Sequence, residues 1–216
     1  MTVKRGVGRP AKFSRQQLQT AALALVDAHG VDGLSMRSLA AALGTGPMTL
    51  YTHVHDRRDL DVLVVEAVMA KARLPRVAYD DWRDAVRALA TAAWRAVRAH
   101  PNAIPLILTR RSQSPAVYDW GEALLAALQR GGRSRRRLLI AFRAVTALVM
   151  GFAQAELAGP LAVESPRAVI ARFRALPAAR YPRLVEVATV ARYSSAEREF
   201  REGLELLLAG LADARA

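Results

Sequence analysis

The chain has 216 residues, of which 52% are hydrophobic, and it carries a formal net charge of +13. This length supports one large or two small domains with real cores, and the apolar fraction excludes a disordered chain. The positive charge suits a protein that meets a polyanion. The absence of cysteine excludes disulfides and thiolate sites and fits a reducing cytoplasm.

Neither the charged N-terminal residues nor the most apolar stretch of the sequence suggests export or insertion into a membrane. The first ten residues carry charge but no apolar core, so we predict no secretory signal. The longest apolar stretch, residues 138–153, is interrupted by Arg143, and we interpret it as too short to span a bilayer. We therefore expect a soluble cytoplasmic protein of the bacterial nucleoid, with no membrane partner.

Residues 1–13 are predicted to form a flexible basic arm. They contain Lys4, Arg5, Arg9 and Lys12 and no acid. The tripeptide around Arg9 suits a narrow minor groove, where the negative potential is highest. A plain disordered terminus explains the same residues equally well.

Residues 14–73 are predicted to form a domain of short helices, because cap residues and glycines recur at helix boundaries. The expected boundaries are Ser14, Gln17 and Gly30 for the first helix, Ser35 and Gly44 for the second, Pro47 for the third and Asp56 for the fourth. The fourth helix is expected to end near Arg73.

The third helix, over residues 47–53, has too few apolar groups to be stable alone, so we expect Leu50 and Val54 to be buried. Its exposed positions can touch base edges, thymine methyls or phosphates; they carry Met48, Thr49, Thr52 and His53. The alternative is an ordinary three-helix core fragment with a Gly-Pro turn, which leaves the grouping of Tyr51, Thr52 and His53 unexplained.

This segment resembles the helix-turn-helix of the tetracycline-repressor (TetR) family. The matching residues are Leu39-Ala40, Leu43-Gly44, Thr49-Leu50-Tyr51, His53-Val54 and Leu60. Weaker likeness continues through Asp81-Trp82-Arg83, Ala99-His100-Pro101, Gly151-Phe152 and Phe200 to Gly210-Leu211.

The resemblance implies a homodimer that reads a pseudo-palindromic double-stranded DNA operator. Arg37, Met48, Thr49 and Thr52 would then read bases, while Tyr51, His53 and Arg57 would hold phosphates. Ser35 and Arg9 are further candidate DNA contacts. Arg37 is the first choice for specificity, since arginine can grip guanine O6 and N7 together.

Residues 80–216 are predicted to form a larger helical domain for ligand binding and dimerisation, which makes the fold class all-α. The expected helices cover 81–99, 101–111, 115–130, 134–158, 165–175, 182–191 and 195–213. Their separators are mostly prolines, including Gly159-Pro160.

The helices over 134–158 and 195–213 have wide apolar faces, which predicts that they pair with their copies in a dimer. In the TetR family the last long helices form such an interface. The expected interface residues are Leu148, Phe152, Leu204, Leu207, Leu208 and Leu211.

A helical domain of this size behind a helix-turn-helix usually senses a small molecule. Candidate pocket walls are Trp94, Ile104, Leu108, Trp120, Phe142, Thr146 and Met150. Each of them could instead be plain core. Tetracycline-binding members hold a magnesium-drug chelate with a histidine and a glutamate, and our alignment places Ile107 and Ala155 there, with Glu156 one position away. We therefore expect no metal and no cofactor.

Together these features predict a ligand-responsive transcriptional regulator, interpreted as a repressor released by a small apolar or aromatic effector. An enzyme is not expected, since four histidines and scattered carboxylates form no catalytic signature. The alternative is a DNA-coating protein without an effector, and a membrane-surface role is weaker still. The arginine clusters at 110–111 and 133–137 are explained by solvated faces at least as well as by DNA contact.

Overall fold

A computed structural model describes residues 13–73, 79–110, 113–161 and 165–213, and this part of the chain is helical without a strand. Its helices are α1 (Arg15–His29), α2 (Met36–Ala42), α3 (Pro47–Leu50), α4 (Arg57–Met69), α5 (Trp82–Arg98), α6 (Ile104–Arg110), α7 (Pro115–Arg130), α8 (Arg135–Leu161), α9 (Pro166–Arg174), α10 (Pro182–Ala191) and α11 (Ala196–Asp213). The all-α fold class is confirmed. The basic arm, with Arg9, and the break at 74–75 lie outside the described residues.

Helix caps and a glycine turn of the N-terminal helices are formed by residues that the sequence predicted. Ser14 and Gln17 form the expected capping box of α1. Asp56 caps α4 by accepting a hydrogen bond from the Asp59 amide at 2.9 Å. Gly44 adopts a φ of 62°, a conformation open to glycine at little cost, and so lets the chain turn between α2 and α3.

Four boundaries differ from the prediction. Helix α3 ends at Leu50 and not at His53, and residues 51–53 form a turn. Helix α4 ends at Met69 and not near Arg73. The predicted helix over 101–111 divides into a 3-10 turn, Pro101–Ala103, and α6. Helix α8 extends to Leu161, since a proline in the last turn removes only one backbone hydrogen bond, and Gly159-Pro160 does not separate two helices.

The N-terminal domain is built around α4, which packs against α1. Leu18 and Val26 of α1 are buried in this core. Leu50 and Val54 are also buried, as predicted, so the short third helix is stabilised by its neighbours.

The larger domain is centred on α5, which packs against α7 and α8, while α11 packs against α8. Trp94 of α5 stacks on Phe200 of α11 with ring centroids 4.5 Å apart. Phe152 of α8 meets Phe200 edge-on at 5.7 Å. These rings join three helices within one protomer.

The apolar stretch of α8 is longer than the sequence suggested. By length and composition alone, Arg135–Ala155 could cross a membrane, so the judgement that it is too short was wrong. Core helices of soluble proteins meet the same criterion. Ala141, Val145 and Val149 do pack into this domain, although only 22% of the stretch is buried in a single chain.

One member of the 133–137 arginine cluster has a structural role. The Arg133 guanidinium lies over the Trp82 ring, 3.9 Å from its centroid, and donates to the backbone carbonyls of Gly131 and Leu211. Arg133 is buried, whereas Arg135, Arg136 and Arg137 are exposed. The interpretation as solvated faces therefore fails at Arg133, where cation–π contact and hydrogen bonds replace water.

Candidate nucleic-acid interface and ligand cavity

The helix-turn-helix presents most of its candidate readers to solvent. Met48 is 78% exposed, and Tyr51 and Thr52 are exposed beside it. Arg37 is exposed on α2, which packs against α3. Thr49 and His53 are half-buried.

Ser35 serves the start of α2. Its hydroxyl accepts a hydrogen bond from the Ser38 amide at 3.0 Å, and the Ser38 hydroxyl accepts one from the Ser35 amide at 2.8 Å. This reciprocal cap fixes the first turn of α2, two residues before Arg37. The Ser38 hydroxyl also contacts the Gly33 carbonyl at 2.8 Å.

Arg57 makes three hydrogen bonds within the protein, which give it a structural role beside the phosphate contact that the resemblance implied. Its guanidinium donates to Asp61 at 2.9 Å, to the Leu34 carbonyl at 2.5 Å and to the Val31 carbonyl at 2.9 Å. Asp61 is 3% exposed and also accepts from Arg110 of α6 at 3.1 Å. Arg57 thus connects α4 to the turn that precedes α2.

Arg15 is likewise occupied. Its guanidinium makes two 2.9 Å hydrogen bonds to the buried carboxylate of Glu66 on α4. These hydrogen bonds, which Arg15 donates to the Glu66 carboxylate, raise the pKa of Arg15. This arginine therefore holds α1 to α4.

A second polar bridge joins the two domains through His100, just after α5. Lys71 Nζ lies 2.7 Å from His100 Nε2, and His100 Nδ1 lies 2.8 Å from an Asp27 carboxylate oxygen. Because an ammonium group can only donate, Nε2 accepts and the Nδ1 proton faces Asp27. Asn102 donates to the Asp27 carbonyl at 3.0 Å. The Ala99-His100-Pro101 motif was the only sign of this bridge in the sequence.

The larger domain contains an open cavity of about 220 Å³. Its lining is Met69, Ala93, Val97, Ile107, Val117, Trp120, Phe142, Arg143, Thr146, Val149 and Met150. Four candidate pocket residues are among them: Trp120, Phe142, Thr146 and Met150. Trp120 is held in place by a 3.1 Å hydrogen bond from Nε1 to the Leu89 carbonyl.

The other three candidates do not line this cavity. Trp94 is fully buried in the aromatic stack with Phe200, and Ile104 is buried core. Leu108 fails for the opposite reason, because it is 39% exposed on α6 and its side chain faces away from the core.

The other seven lining residues were not among the candidates, and they include Met69, Ile107 and Arg143. Met69 is the last residue of α4, so the cavity touches the helix that leads back to the N-terminal domain. Ile107 lines the cavity where our alignment places the chelating histidine of tetracycline-binding members. The described residues hold no cluster of three metal-ligating side chains.

The expected dimer interface needs correction at two positions. Leu204 and Leu208 are 0% and 1% exposed, because they pack into the core of their own protomer. Leu148, Phe152, Leu207 and Leu211 are partly buried against the same core. Beside them, α8 and α11 present Ala147, Gly151, Ala155 and Leu206 to solvent, and we call these four residues the outer face.

Comparisons with known proteins agree with this architecture. Residues 74–215 match the tetracyclin repressor-like C-terminal domain. An HTH-type transcriptional regulator of Saccharopolyspora erythraea is 36% identical over 155 residues, which are 68% of this chain and 66% of that protein. The chain thus spans about two thirds of that relative.

Two further similarities cover nearly the whole chain. The class D tetracycline repressor of Escherichia coli is 31% identical over 205 residues, which are 93% of this chain and 89% of that protein. Apo ActR from Streptomyces coelicolor has a TM-score of 0.79 at 27% identity, with 96% of this chain and 98% of that chain covered. The chain belongs to the TetR family of transcriptional regulators.

Replacing Arg57 tests its structural role. We expect Arg57→Ala to lower the free energy of unfolding by about 1–3 kcal/mol, because the buried Asp61 carboxylate loses one of its two partners. Urea unfolding measures this, with Arg58→Ala, one residue along the same exposed surface, as the control. Unchanged stability together with a shallower salt dependence of DNA binding would contradict the structural role and support the phosphate contact.

Proposed function

We propose that this chain is a cytoplasmic, effector-responsive transcriptional repressor that binds a pseudo-palindromic operator as a homodimer. The observation that carries the proposal is the position of α4 between the cavity and the helix-turn-helix. Met69 lines the cavity at one end of this helix, and Arg57 holds the turn before α2 at the other.

The length of α4 allows a small movement at the cavity to reach the helix-turn-helix. A helix of 13 residues extends about 20 Å, so a small tilt at Met69 displaces the Arg57 end and changes the orientation of α2 and α3. Arg110 reinforces the link, because it ends α6 and grips Asp61, while Ile107 of α6 lines the cavity. An effector that prefers one arrangement would shift the population of DNA-binding conformations.

A related regulator provides precedent for the cavity. ActR, which shares the fold, has been crystallised in complex with actinorhodin and with (S)-DNPA. For the present chain, the apolar lining and the aromatic side chains Trp120 and Phe142 support an effector with an apolar or aromatic body.

DNA recognition rests on the exposed residues of α2 and α3. Arg37 and Met48 are proposed to read bases together with Thr49 and Thr52. Tyr51 and His53 are proposed to contact phosphates, while Ser35 orients α2 through its cap. Met48 favours contact with thymine methyls.

The DNA proposal predicts a preference for selected sequences. We expect Arg37→Ala to weaken binding to a selected operator by about 1–3 kcal/mol and to relax one base position. Arg130→Ala, an exposed arginine at the end of α7, is the matched control. Binding is measured by titration at several salt concentrations, where each neutralised phosphate steepens log K against log salt by about 0.9. Equal affinity for random and selected DNA would favour a coating protein.

The outer face supports the homodimer. Leu206 is 76% exposed on α11, beside the partly buried Leu207. Ala147, Gly151 and Ala155 are small, so two copies of α8 could approach closely. A partner there would cover much of the apolar stretch of α8 that a single chain leaves open, and an isologous pair needs only this one surface.

The dimer is tested with residues that are exposed in one chain. Ala147→Glu combined with Leu206→Glu should give monomers with nearly unchanged protomer stability and much weaker operator binding, because the interface would bury unpaired charges. Sedimentation measures the mass, and Ala126→Glu on the exposed side of α7 is the control. Retention of a dimer would place the interface elsewhere.

Effector control is tested at Phe142. A compound that binds the cavity and weakens operator binding about 100-fold must itself bind DNA-bound protein about 2.7 kcal/mol more weakly, because linkage is reciprocal. We expect Phe142→Ala to weaken compound binding and to leave operator affinity unchanged, whereas Leu139→Ala, exposed on the same helix, should change neither. A broad library of aromatic compounds that releases no operator would leave a constitutive DNA binder.

A further inference from the structure

We propose that the effector is an aromatic hydroxy acid, whose anionic group pairs with Arg143 and whose hydroxyl group donates to Thr146. This inference rests on the proposed function of the cavity as the effector site. It adds a charge and a hydrogen-bond pattern to an effector that the apolar walls alone describe only as aromatic.

The charge follows from the composition of the lining. Arg143 is the charged side chain among the lining residues, and no carboxylate accompanies it there. Within the described ranges, the Arg143 guanidinium has neither a hydrogen bond nor an ion pair to another side chain, in contrast to Arg57, Arg110 and Arg15. A guanidinium carries five donors in a planar fork that matches a carboxylate. Arg143 is exposed where it lines the cavity, so these donors remain available to an acidic ligand.

The hydroxyl group follows from how Thr146 is bonded. Its Oγ1 lies 2.8 Å from the Phe142 carbonyl and 3.0 Å from the Arg143 carbonyl, so its single proton is given to the backbone of α8. The oxygen keeps lone pairs for an incoming donor. Thr146 therefore selects a ligand hydroxyl or N–H group and not a second acceptor.

The spacing of the two residues sets the spacing of the two ligand groups. Arg143 and Thr146 are three residues apart on α8, so their Cβ atoms are neighbours about 5–6 Å apart on one helix face. Acid and hydroxyl substituents in meta positions on one ring match this separation, whereas an ortho hydroxyl group would donate its proton to the acid of its own molecule. The apolar body would then lie against Trp120 and Phe142.

The volume of the cavity limits the size of the apolar part of the ligand. A cavity of about 220 Å³ lies below the usual range for ligand pockets, about 300–1,000 Å³. One or two fused rings fit without rearrangement, whereas a larger ligand requires the wall to move.

The test uses three bicyclic probes that differ by one group. They are 4-hydroxy-2-naphthoate, its neutral amide 4-hydroxy-2-naphthamide, and 2-naphthoate, which lacks the hydroxyl group. Calorimetric titration into the full chain measures their affinities. We expect the hydroxy acid to bind at least about tenfold more tightly than the amide, as a charge-assisted pair predicts, and severalfold more tightly than 2-naphthoate.

Two variants of α8 locate the charge. Arg143→Gln should remove the preference for the acid over the amide and leave amide binding unchanged. Arg136→Gln, an exposed arginine on the same helix, should keep the wild-type preference. If Arg143→Gln retains the preference, or if wild-type protein binds acid and amide equally, the assignment of an anionic effector to Arg143 is overturned.

Operator release separates this inference from the proposed function. Arg143-dependent binding of the hydroxy acid that leaves the operator complex intact would overturn effector control and keep the ligand class. Release by the amide as readily as by the acid would keep effector control and overturn the ligand class. If no probe binds the wild-type protein, the ligand class is overturned, and effector control is then decided by the broad library of aromatic compounds.

Discussion

The burial of α4 is the constraint on which the rest of the structure depends. Every residue from Leu60 to Met69 is buried, and two of them, Asp61 and Glu66, carry a carboxylate. A buried carboxylate is costly unless charged or polar donors surround it. The donors come from α1, α4 and α6, so these two acids determine which helices must enclose α4 and from which sides.

This arrangement explains why arginines surround the two carboxylates of α4. Arg57 bonds one carboxylate and two backbone carbonyls at once, because a guanidinium presents five N–H donors in a rigid planar fork. Arg110 approaches Asp61 from the larger domain. A strongly positive sequence can thus use part of its charge inside the fold and leave the rest for a polyanion.

Local features of the fold could be predicted from the sequence because their causes are local. Ser14, Gly44 and Pro47 act on backbone within a few residues, and each was found in the expected role. The contacts of Arg57 could not be predicted, since Leu34 and Val31 precede it by 23 and 26 residues. Nothing in its own neighbourhood distinguishes it from an arginine that faces DNA.

Apolar patterns identified helix faces but not what covers them. Leu204 and Leu208 repeat at helical spacing, which suits a protomer core and a dimer interface equally, and the Trp94–Phe200 stack decides for the core. Phe142, Thr146 and Met150 share one face of α8 and line the same cavity. Trp94 and Ile104 look the same in the sequence, yet their sites are filled by neighbouring side chains.

The side chains of helix α8 face three different environments. Phe142, Thr146 and Met150 face the cavity, Ala141, Val145 and Ala153 are buried in the core, and Ala147 and Gly151 belong to the outer face. Because 3.6 residues make one turn, neighbours in sequence belong to different environments. Point mutations at the cavity positions can therefore alter ligand selectivity while the residues that hold the helix in place are kept. The evolution of new specificities in such a protein needs no change in its scaffold.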